Sequence, residues 1–399
     1  MKTLLFVDDE PHVLQGLQRQ LRPMRREWEM NFAEGGEKAL AFMAEHPVDI
    51  IVTDMMMPGM DGSQLLGEVL KRHPQTVRII LSGQAGSEAI LRLVGPAHQY
   101  LSKPCNPDEL RKAITRALAL RDLLGNERLK ELTTRIKNLP SLPALQNKLA
   151  VELEKNSPSV ECIGEIISHD IAMTAKILQL VNSAFFGLAQ PINNPVEAAI
   201  YLGLNTIHSL VLSSGIFSQY DQTTCQAFSL EALAQHSWLT GALARRVAHV
   251  ERQDVKLAEQ CFLAGLLHDV GQLILASGLP GEYAEVIAKS REQGLPVWQV
   301  EREYFGATHA DVGAYLLALW GLSNPITEAV ALHHQPSRCA TPEFSPVIAV
   351  HAADVFAHEF SRGNTAVPLS RLDLAHLASI GLAGRVEAWQ AGCKEEFEN

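Results

Sequence analysis

The sequence predicts two domains of different fold class, an α/β domain with a doubly wound parallel sheet and then an all-α domain. Up to about residue 122, short apolar runs alternate with amphipathic stretches, the pattern of a parallel sheet covered by helices. Beyond Leu139 the pattern is helical, with no convincing period-two alternation. The chain has 399 residues, more than a usual single core, and its hydrophobic content of 47% can form two cores.

Three apolar runs in the first part have the length and composition of buried parallel strands. They are Leu4–Val7, Ile50–Val52 and Ile79–Leu81. Amphipathic segments between the runs predict helices at Pro11–Leu21, Gly36–Met43 and Ser63–Lys71. Polar residues follow each run and therefore belong at the carboxyl ends of the strands. In an open parallel sheet these ends meet at one edge, where ligands bind.

Five polar side chains predicted at this edge form a candidate site for phosphoryl transfer. Asp8 and Asp9 follow the first run, Asp54 the second, Ser82 the third, and Lys103 comes later in the chain. Three carboxylates repel one another unless a hard cation bridges them, and Mg²⁺ prefers oxygen ligands and neutralises an incoming phosphate. We therefore expect Asp8, Asp9 and Asp54 to hold Mg²⁺. Asp54 is the expected nucleophile, and Lys103 and Ser82 are expected to contact the phosphoryl oxygens.

Together with the loop Met57–Gly62 and the pair Lys103–Pro104, these residues resemble the receiver domain of two-component response regulators. The resemblance covers about residues 1–122 and implies a flavodoxin-like fold. It also implies that a sensor histidine kinase is the partner that phosphorylates Asp54. Ser82 and Tyr100 would form the switch pair that reports the phosphorylation.

Composition favours a reduced cytoplasmic protein that binds no nucleic acid. The 34 basic and 45 acidic residues give a net charge of −11, without a basic cluster. The six cysteines are scattered without CxxC spacing, which indicates neither a disulfide framework nor a thiolate zinc site. Acidic residues interrupt the amino-terminal apolar run, and no apolar run approaches membrane-spanning length. We therefore expect no signal peptide and no membrane partner.

Apolar residues at three- and four-residue steps between Ile114 and Leu139 predict a connecting helix, assigned to residues 123–138, with a coiled-coil-like seam. The seam residues are Leu118, Leu129, Leu132, Ile136 and Leu139. Two interpretations stay open. Either the seam acts as a lever or homodimer contact that transmits the receiver's state, or the helix packs on its own chain. Pro140 and Pro143 end the helix and open the second domain.

The second domain is predicted at 139–390, before an acidic tail at 391–399, and it contains four short motifs. They are Leu139–Pro143, Asn182–Gly187, Ala199–Gly203 and Leu267–Gly271. In this order they resemble the HDOD domain, an all-α output domain of the HD superfamily, over about residues 139–360. The resemblance implies kinship with metal-dependent phosphohydrolases.

Seven side chains of this domain match the HD family's metal ligands by motif order. They are His236, His268, Asp269, His309, His333, His334 and Asp354. The apolar pattern turns His236 inward on a helix, and Thr308 with Asp311 has the spacing of a capping box. Imidazole and carboxylate ligands suit Mn²⁺, Fe or Zn²⁺, and two such ions activate water for attack on phosphorus.

Two departures separate the chain from the HD-GYP phosphodiesterases: Gln272 replaces their Lys, and no Gly-Tyr-Pro motif follows His333 and His334. A histidine on an apolar face is also more often a hydrogen-bonded core residue than a ligand. We therefore favour a non-catalytic output, in which phosphorylation changes the binding of a downstream protein. The alternative is a phosphorylation-gated, metal-dependent phosphodiesterase acting on a nucleotide or cyclic dinucleotide. The remaining histidines, including His358, are expected to be surface or core residues.

Overall fold

The amino-terminal domain is a five-stranded parallel sheet, which confirms the predicted α/β class. The computed structural model describes residues 1–82, 96–103, 106–123, 126–136, 139–155, 157–183, 188, 190–212, 218–219, 228–361 and 371–398. The strands are β1 (Lys2–Asp8), β2 (Trp28–Glu34), β3 (Ile50–Asp54), β4 (Val77–Ser82) and β5 (Gln99–Ser102). They lie in the order β2-β1-β3-β4-β5, and every neighbouring pair is parallel.

The register of the strands brings their polar ends to one edge of the sheet. Val7 is paired with Thr53, and Asp54 with Leu81. The last residues of β1, β3 and β4 therefore lie side by side at the carboxyl edge. These residues are Asp8, Asp54 and Ser82.

Helices lie between the strands where the amphipathic segments predict them. They are α1 (Pro11–Gln20), α2 (Gly36–Glu45) and α3 (Gly62–Arg72), and a further helix, α4 (Pro107–Leu123), follows β5. The sequence pattern does not predict β2 and β5, because β2 is a partly buried edge strand and β5 has only four residues. Alternate strand residues point to opposite faces, so Leu4 and Phe6 pack in one apolar cluster and Leu5 and Val7 in another.

The segment predicted as a connecting helix at 123–138 contains a helix that is shorter than predicted and separate from the helix before it. The helix α4 ends at Leu123, and a separate helix α5 (Glu127–Arg135) begins after Asn126, whose side chain accepts hydrogen bonds from the backbone of Arg128 and Leu129. The seam packs inside the chain: Leu129 is 1% exposed and belongs to the main apolar cluster. The interpretation in which the helix packs on its own chain is the one that the structure supports.

Helices dominate the carboxyl-terminal domain. They are α6 (Pro143–Leu153), α7 (Val160–Ser168), α8 (Ile171–Val181), α9 (Pro195–Leu202), α10 (Leu204–Leu212), α11 (Leu230–Val250), α12 (Val255–Leu267), α13 (Val270–Gly278), α14 (Pro280–Gln293), α15 (Val297–Phe305), α16 (His309–Leu319), α17 (Asn324–Leu332), α18 (Pro346–Phe360), α19 (Leu374–Ser379) and α20 (Val386–Glu398). These helices confirm the predicted all-α class. A short parallel pair of β6 (Pro140–Ser141) and β7 (Ser218–Gln219) is added to them, which the sequence pattern does not predict.

One stretch of the described chain, Val255–Gly278, is long and apolar enough to cross a membrane, which corrects the expectation that no run approaches that length. It comprises α12 and α13, which are divided at His268 and Asp269. Of its most apolar window, 83% is buried inside the protein. Its apolar character is therefore explained by its position in the core of the helical domain. His268 and Asp269 lie at the junction between the two helices.

Candidate functional site

The carboxyl edge of the sheet gathers Asp8, Asp54 and Lys103. Asp8 and Asp54 are 2% and 7% exposed, and the Lys103 ammonium bridges them. Its Nζ lies 2.7 Å from Asp8 Oδ2 and 2.5 Å from Asp54 Oδ1. Burial by itself lowers the pKa of Lys103, but the hydrogen bonds to Asp54 and Asp8 outweigh it and raise this pKa. The two carboxylates thus face one point at which a cation is stabilised.

The other predicted receiver residues are Asp9, Tyr100 and Ser82. Asp9 is exposed, and within the described chain it forms no three-residue ligand group with Asp8 and Asp54. Tyr100 is buried in β5, where it is paired with Ile80 in β4. Ser82 ends β4, but its side chain and Pro104 lie outside the described part of the structure.

The loop after Asp54 needs a glycine at Gly62. A Cβ atom at this position would lie 2.1 Å from the Asp54 carbonyl oxygen. Asp61 directly before it caps α3, because its side chain accepts the Gln64 N–H and the Gln64 side chain accepts the Asp61 N–H. The close approach fixes the start of α3 against the end of β3. The Asp54 carboxylate is held from the same loop, since Oδ2 accepts the Met56 N–H at 3.0 Å.

The seven predicted HD residues converge in the helical domain as two groups of potential metal ligands. The His236 group contains His236 from α11, His268 from the end of α12 and Asp354 from α18. Asp354 Oδ1 lies 3.1 Å from His236 Nε2 and 3.7 Å from His268 Nε2. In each group the ligand atoms lie within 4.8 Å of one another.

The second group, here called the His309 group, contains Asp269, His309, His333 and His334. Asp269 Oδ1 lies 3.0 Å from His309 Nε2 and 3.9 Å from His333 Nε2, and His334 Nε2 lies 3.0 Å from His309 Nε2. The other Asp269 oxygen faces the first group, 3.3 Å from His268 Nε2 and 3.9 Å from His236 Nε2. Asp269 therefore connects the two groups through its two oxygens.

Backbone carbonyls orient two of these rings. The Nδ1–H groups of His268 and His333 donate to the carbonyls of Gly265 and Val330, at 2.6 Å and 2.8 Å. Their Nε2 atoms consequently face the ligand groups. His268 Nε2, His333 Nε2 and Asp269 Oδ1 are buried yet make no hydrogen bond of acceptable geometry, although charged neighbours lie close. Each of the two groups thus contains buried polar atoms without hydrogen-bond partners, which fits the binding of divalent ions.

The electrostatics of the cluster also favour a cation. Burial by itself lowers the pKa of His268, but Asp269 and Asp354 outweigh it and raise this pKa to about 10. Burial raises the pKa of Asp269, but the neighbouring histidines, His268 first, hold it well below its usual value. Burial lowers the pKa of His333 to about 3, so this ring stays neutral and free to coordinate.

Sequence reasoning missed two residues of the site. Glu301 on α15 is fully buried and accepts a hydrogen bond from His309 Nδ1 at 2.7 Å. His358, which the sequence assigns to the surface or core, stacks on His236 with ring centroids 4.3 Å apart, and its Nε2 lies 3.4 Å from Asp354 Oδ1. A signal for His358 is present, because it lies four residues after Asp354 on the same helix face.

A carboxylate and lysine site at the edge of a parallel sheet, joined to a helical His/Asp cluster, defines a signalling protein with an input and an output domain. Family models agree with both halves: the response regulator receiver domain matches residues 4–115, and the HDOD domain matches residues 139–336. The chain belongs to the response regulators and consists of a receiver domain followed by an HDOD domain.

Individual relatives match parts of the chain. An uncharacterised protein of Treponema pallidum is 26% identical over 251 residues, 62% of this chain and 48% of the relative. Response regulator GtcR of Aneurinibacillus migulanus is 36% identical over 108 residues, 27% of this chain and 44% of the relative. The chain thus spans less than half the length of these curated relatives. The crystal structure of the MmoQ response regulator from Methylococcus capsulatus is 23% identical with a TM-score of 0.49, covering 63% of this chain and 97% of that chain.

Proposed function

We propose that this chain receives a phosphoryl group on Asp54 from a sensor histidine kinase and reports it through its HDOD domain to a downstream protein. The observation that carries the proposal is the Lys103 ammonium between Asp8 and Asp54, with Nζ to oxygen distances of 2.7 Å and 2.5 Å. A buried carboxylate beside a fixed cation is placed to hold the oxygens of an acyl phosphate. Asp8, Asp9 and Asp54 would hold Mg²⁺, which supplies charge neutralisation for the incoming phosphate.

Phosphorylation with acetyl phosphate and Mg²⁺, followed on a phosphate-affinity gel, tests this function. Wild-type protein is expected to shift, and the Asp54→Asn variant is expected not to. Asp61→Asn is the matched control, because asparagine caps α3 as well as aspartate and the substitution leaves the sheet edge intact. A shift of Asp54→Asn equal to that of wild type would refute Asp54 as the acceptor.

The HDOD domain is in direct contact with the receiver. Both α4 and α5 pack against α16, the helix that begins at His309. The Arg116 guanidinium of α4 donates to the Leu322 carbonyl and to Thr327 Oγ1, at 3.1 Å for the latter. A shift of α4 therefore acts on the helices that carry the His309 group. This supports a route by which the receiver's state changes the surface that the HDOD domain offers to a partner.

The convergent ligand groups favour a second candidate, phosphorylation-gated hydrolysis of a phosphodiester at two metal ions. The His236 group and the His309 group would hold the ions, with Asp269 between them. Bound ions would supply a water nucleophile and neutralise phosphate charge. Gln272 argues against catalysis, because it is uncharged at the position where the HD-GYP phosphodiesterases have a lysine. The non-catalytic output therefore remains the main proposal, with the metal groups as part of the domain's structure.

Metal content and hydrolysis together separate the two candidates. Protein expressed with added Mn²⁺ is expected to hold about two ions per chain, and the His268→Ala, Asp269→Ala double variant is expected to lose them. His46→Ala, an exposed receiver position, is the control. The main proposal predicts no turnover of bis(p-nitrophenyl) phosphate or a cyclic dinucleotide. Turnover that disappears in the double variant would instead establish the phosphodiesterase.

A further inference from the structure

Glu301 is a fully buried carboxylate whose two oxygens are both in use. Oε2 accepts hydrogen bonds from the backbone N–H and from Nδ1–H of His309, each at 2.7 Å. Oε1 accepts from the Tyr283 hydroxyl at 3.0 Å. The carboxylate is 0% exposed, so water does not compete for these bonds. Glu301 therefore fixes the His309 ring in the tautomer whose Nε2 faces Asp269 and His334.

This arrangement distinguishes His309 from the other oriented rings of the site. His268 and His333 donate their Nδ1–H to backbone carbonyls, whereas His309 donates to a carboxylate. A carboxylate behind an imidazole holds its orientation and makes its free nitrogen a stronger donor to a metal ion.

The two ligand groups also differ in their own charge. The His236 group contains Asp354 and faces one oxygen of Asp269, so two carboxylates serve that position. The His309 group has Asp269 as its only carboxylate, besides three imidazoles. A divalent ion there lacks a second negative charge among its direct ligands. Glu301 provides that negative charge indirectly, because its carboxylate is hydrogen-bonded to the far side of the His309 ring.

We infer that Glu301 is the positioning residue of the His309 group and is required for a divalent ion to bind there, but not at the His236 group. This rests on the proposed two-group metal site and assigns a residue that acts on only one of its positions. The substitution Glu301→Gln keeps the size of the side chain and an oxygen acceptor but removes the charge. Loss of such an outer contact weakens metal affinity by about 10–100-fold.

Titration of the full chain with Mn²⁺, followed by metal counting after dialysis and by electron paramagnetic resonance, tests the inference. Wild type is expected to bind two ions that give a spin-coupled signal. At the same free Mn²⁺ concentration, Glu301→Gln is expected to keep the ion at the His236 group and to lose the ion at the His309 group. The remaining isolated Mn²⁺ should give a six-line signal. The control is Glu303→Gln, which removes an exposed carboxylate from the same helix and is expected to behave as wild type.

Other results overturn the inference in distinguishable ways. If Glu301→Gln still binds two coupled ions and differs from wild type only in a lower melting temperature, then Glu301 merely joins α15 to α16. No bound Mn²⁺ in wild type would overturn the metal site itself and this inference with it. If Glu301→Gln does not fold, Tyr283→Phe provides the test, because it removes the hydroxyl bond to Oε1 and keeps the carboxylate. This variant is expected to weaken Mn²⁺ binding at the His309 group selectively. Equal weakening of Mn²⁺ binding at both groups would contradict the inference.

Discussion

At the scale of single residues, Gly271 decides how closely α13 approaches α16. A Cβ atom at this position would lie 1.9 Å from the His309 carbonyl oxygen, far inside van der Waals contact with a backbone atom. We predict that Gly271→Ala moves His309 away from Asp269. Overpacking of this kind costs about 1–3 kcal/mol, so the melting temperature and the Mn²⁺ affinity should both fall.

Thermal denaturation and Mn²⁺ titration of Gly271→Ala measure these effects. Gly281→Ala is the control, since Gly281 lies on the exposed side of α14 and a Cβ there would have nothing within 4 Å. An equal response of the two variants would show that the close approach at Gly271 is unimportant.

The residues of the site differ in how far local sequence predicts them. Thr308 and Asp311 form the capping box that their spacing predicts, because a cap depends only on residues three positions apart. Asp8 and Asp54 follow apolar runs, and the parallel register then brings them together. Glu301 reaches His309 only through the packing of α15 on α16, which no local pattern encodes. Its recognition requires the tertiary structure.

At the scale of secondary-structure elements, the contact of α4 with α16 and α17 is the route between the domains. Arg116 makes hydrogen bonds to the Leu322 carbonyl and Thr327, and burial lowers its pKa to about 10, which still leaves it charged at neutral pH. The helix α17 ends at Leu332, and His333 of the His309 group follows directly as its C-cap. One end of α17 thus touches the receiver while the other contributes a metal ligand.

We predict that Arg116→Gln uncouples the two domains. In wild type, beryllofluoride bound at Asp54 should change the hydrogen exchange of α16 and α17, and in Arg116→Gln this change should largely disappear. The control is Arg111→Gln on the same helix, where the arginine is 48% exposed and forms an ion pair with Asp108. Persistence of the exchange response in Arg116→Gln would refute this route.

The connecting segment shows why an apolar repeat does not predict where one helix ends and the next begins. Leu118 and Leu129 continue one apolar repeat, and the repeat alone predicts one helix. Asn126 caps a new helix with its side chain and thereby redirects the chain. Leu129 can then pack against the carboxyl-terminal domain instead of a partner helix. The apolar pattern identified the buried residues but not the surface against which they are buried.

At the scale of the whole molecule, a buried network joins the receiver to the helical domain. His98 Nδ1 accepts the Arg78 N–H at 3.0 Å, which assigns the ring proton to Nε2, 2.9 Å from the Thr134 carbonyl oxygen on α5. The Arg78 guanidinium donates to the same carbonyl at 2.6 Å. Gln179 of α8 donates to the His98 carbonyl at 3.2 Å. The junction therefore requires a neutral His98 beside a charged Arg78.

This requirement predicts a loss of stability in mild acid. The pKa of His98 is held well below 6.5, first by burial and then by the charge of Arg78. The unfolded chain takes up a proton near pH 6.5 that the folded chain excludes, so the stabilisation is complete above this pH and decreases below it. One pKa unit corresponds to about 1.4 kcal/mol, so lowering the pH from about 7.5 to about 5.5 should cost the wild type about this much through His98 alone.

The measurement is the free energy of unfolding of wild type and His98→Gln at both pH values. Glutamine offers a donor and an acceptor without a titratable proton, so the variant should lose less stability on acidification, even if it is less stable at both. His12→Gln is the control, because His12 is 77% exposed in the same domain and should leave the wild-type difference unchanged. The same pH dependence in His98→Gln as in wild type would mean that the junction opens before His98 is protonated, and that domain docking is weaker than this buried network implies.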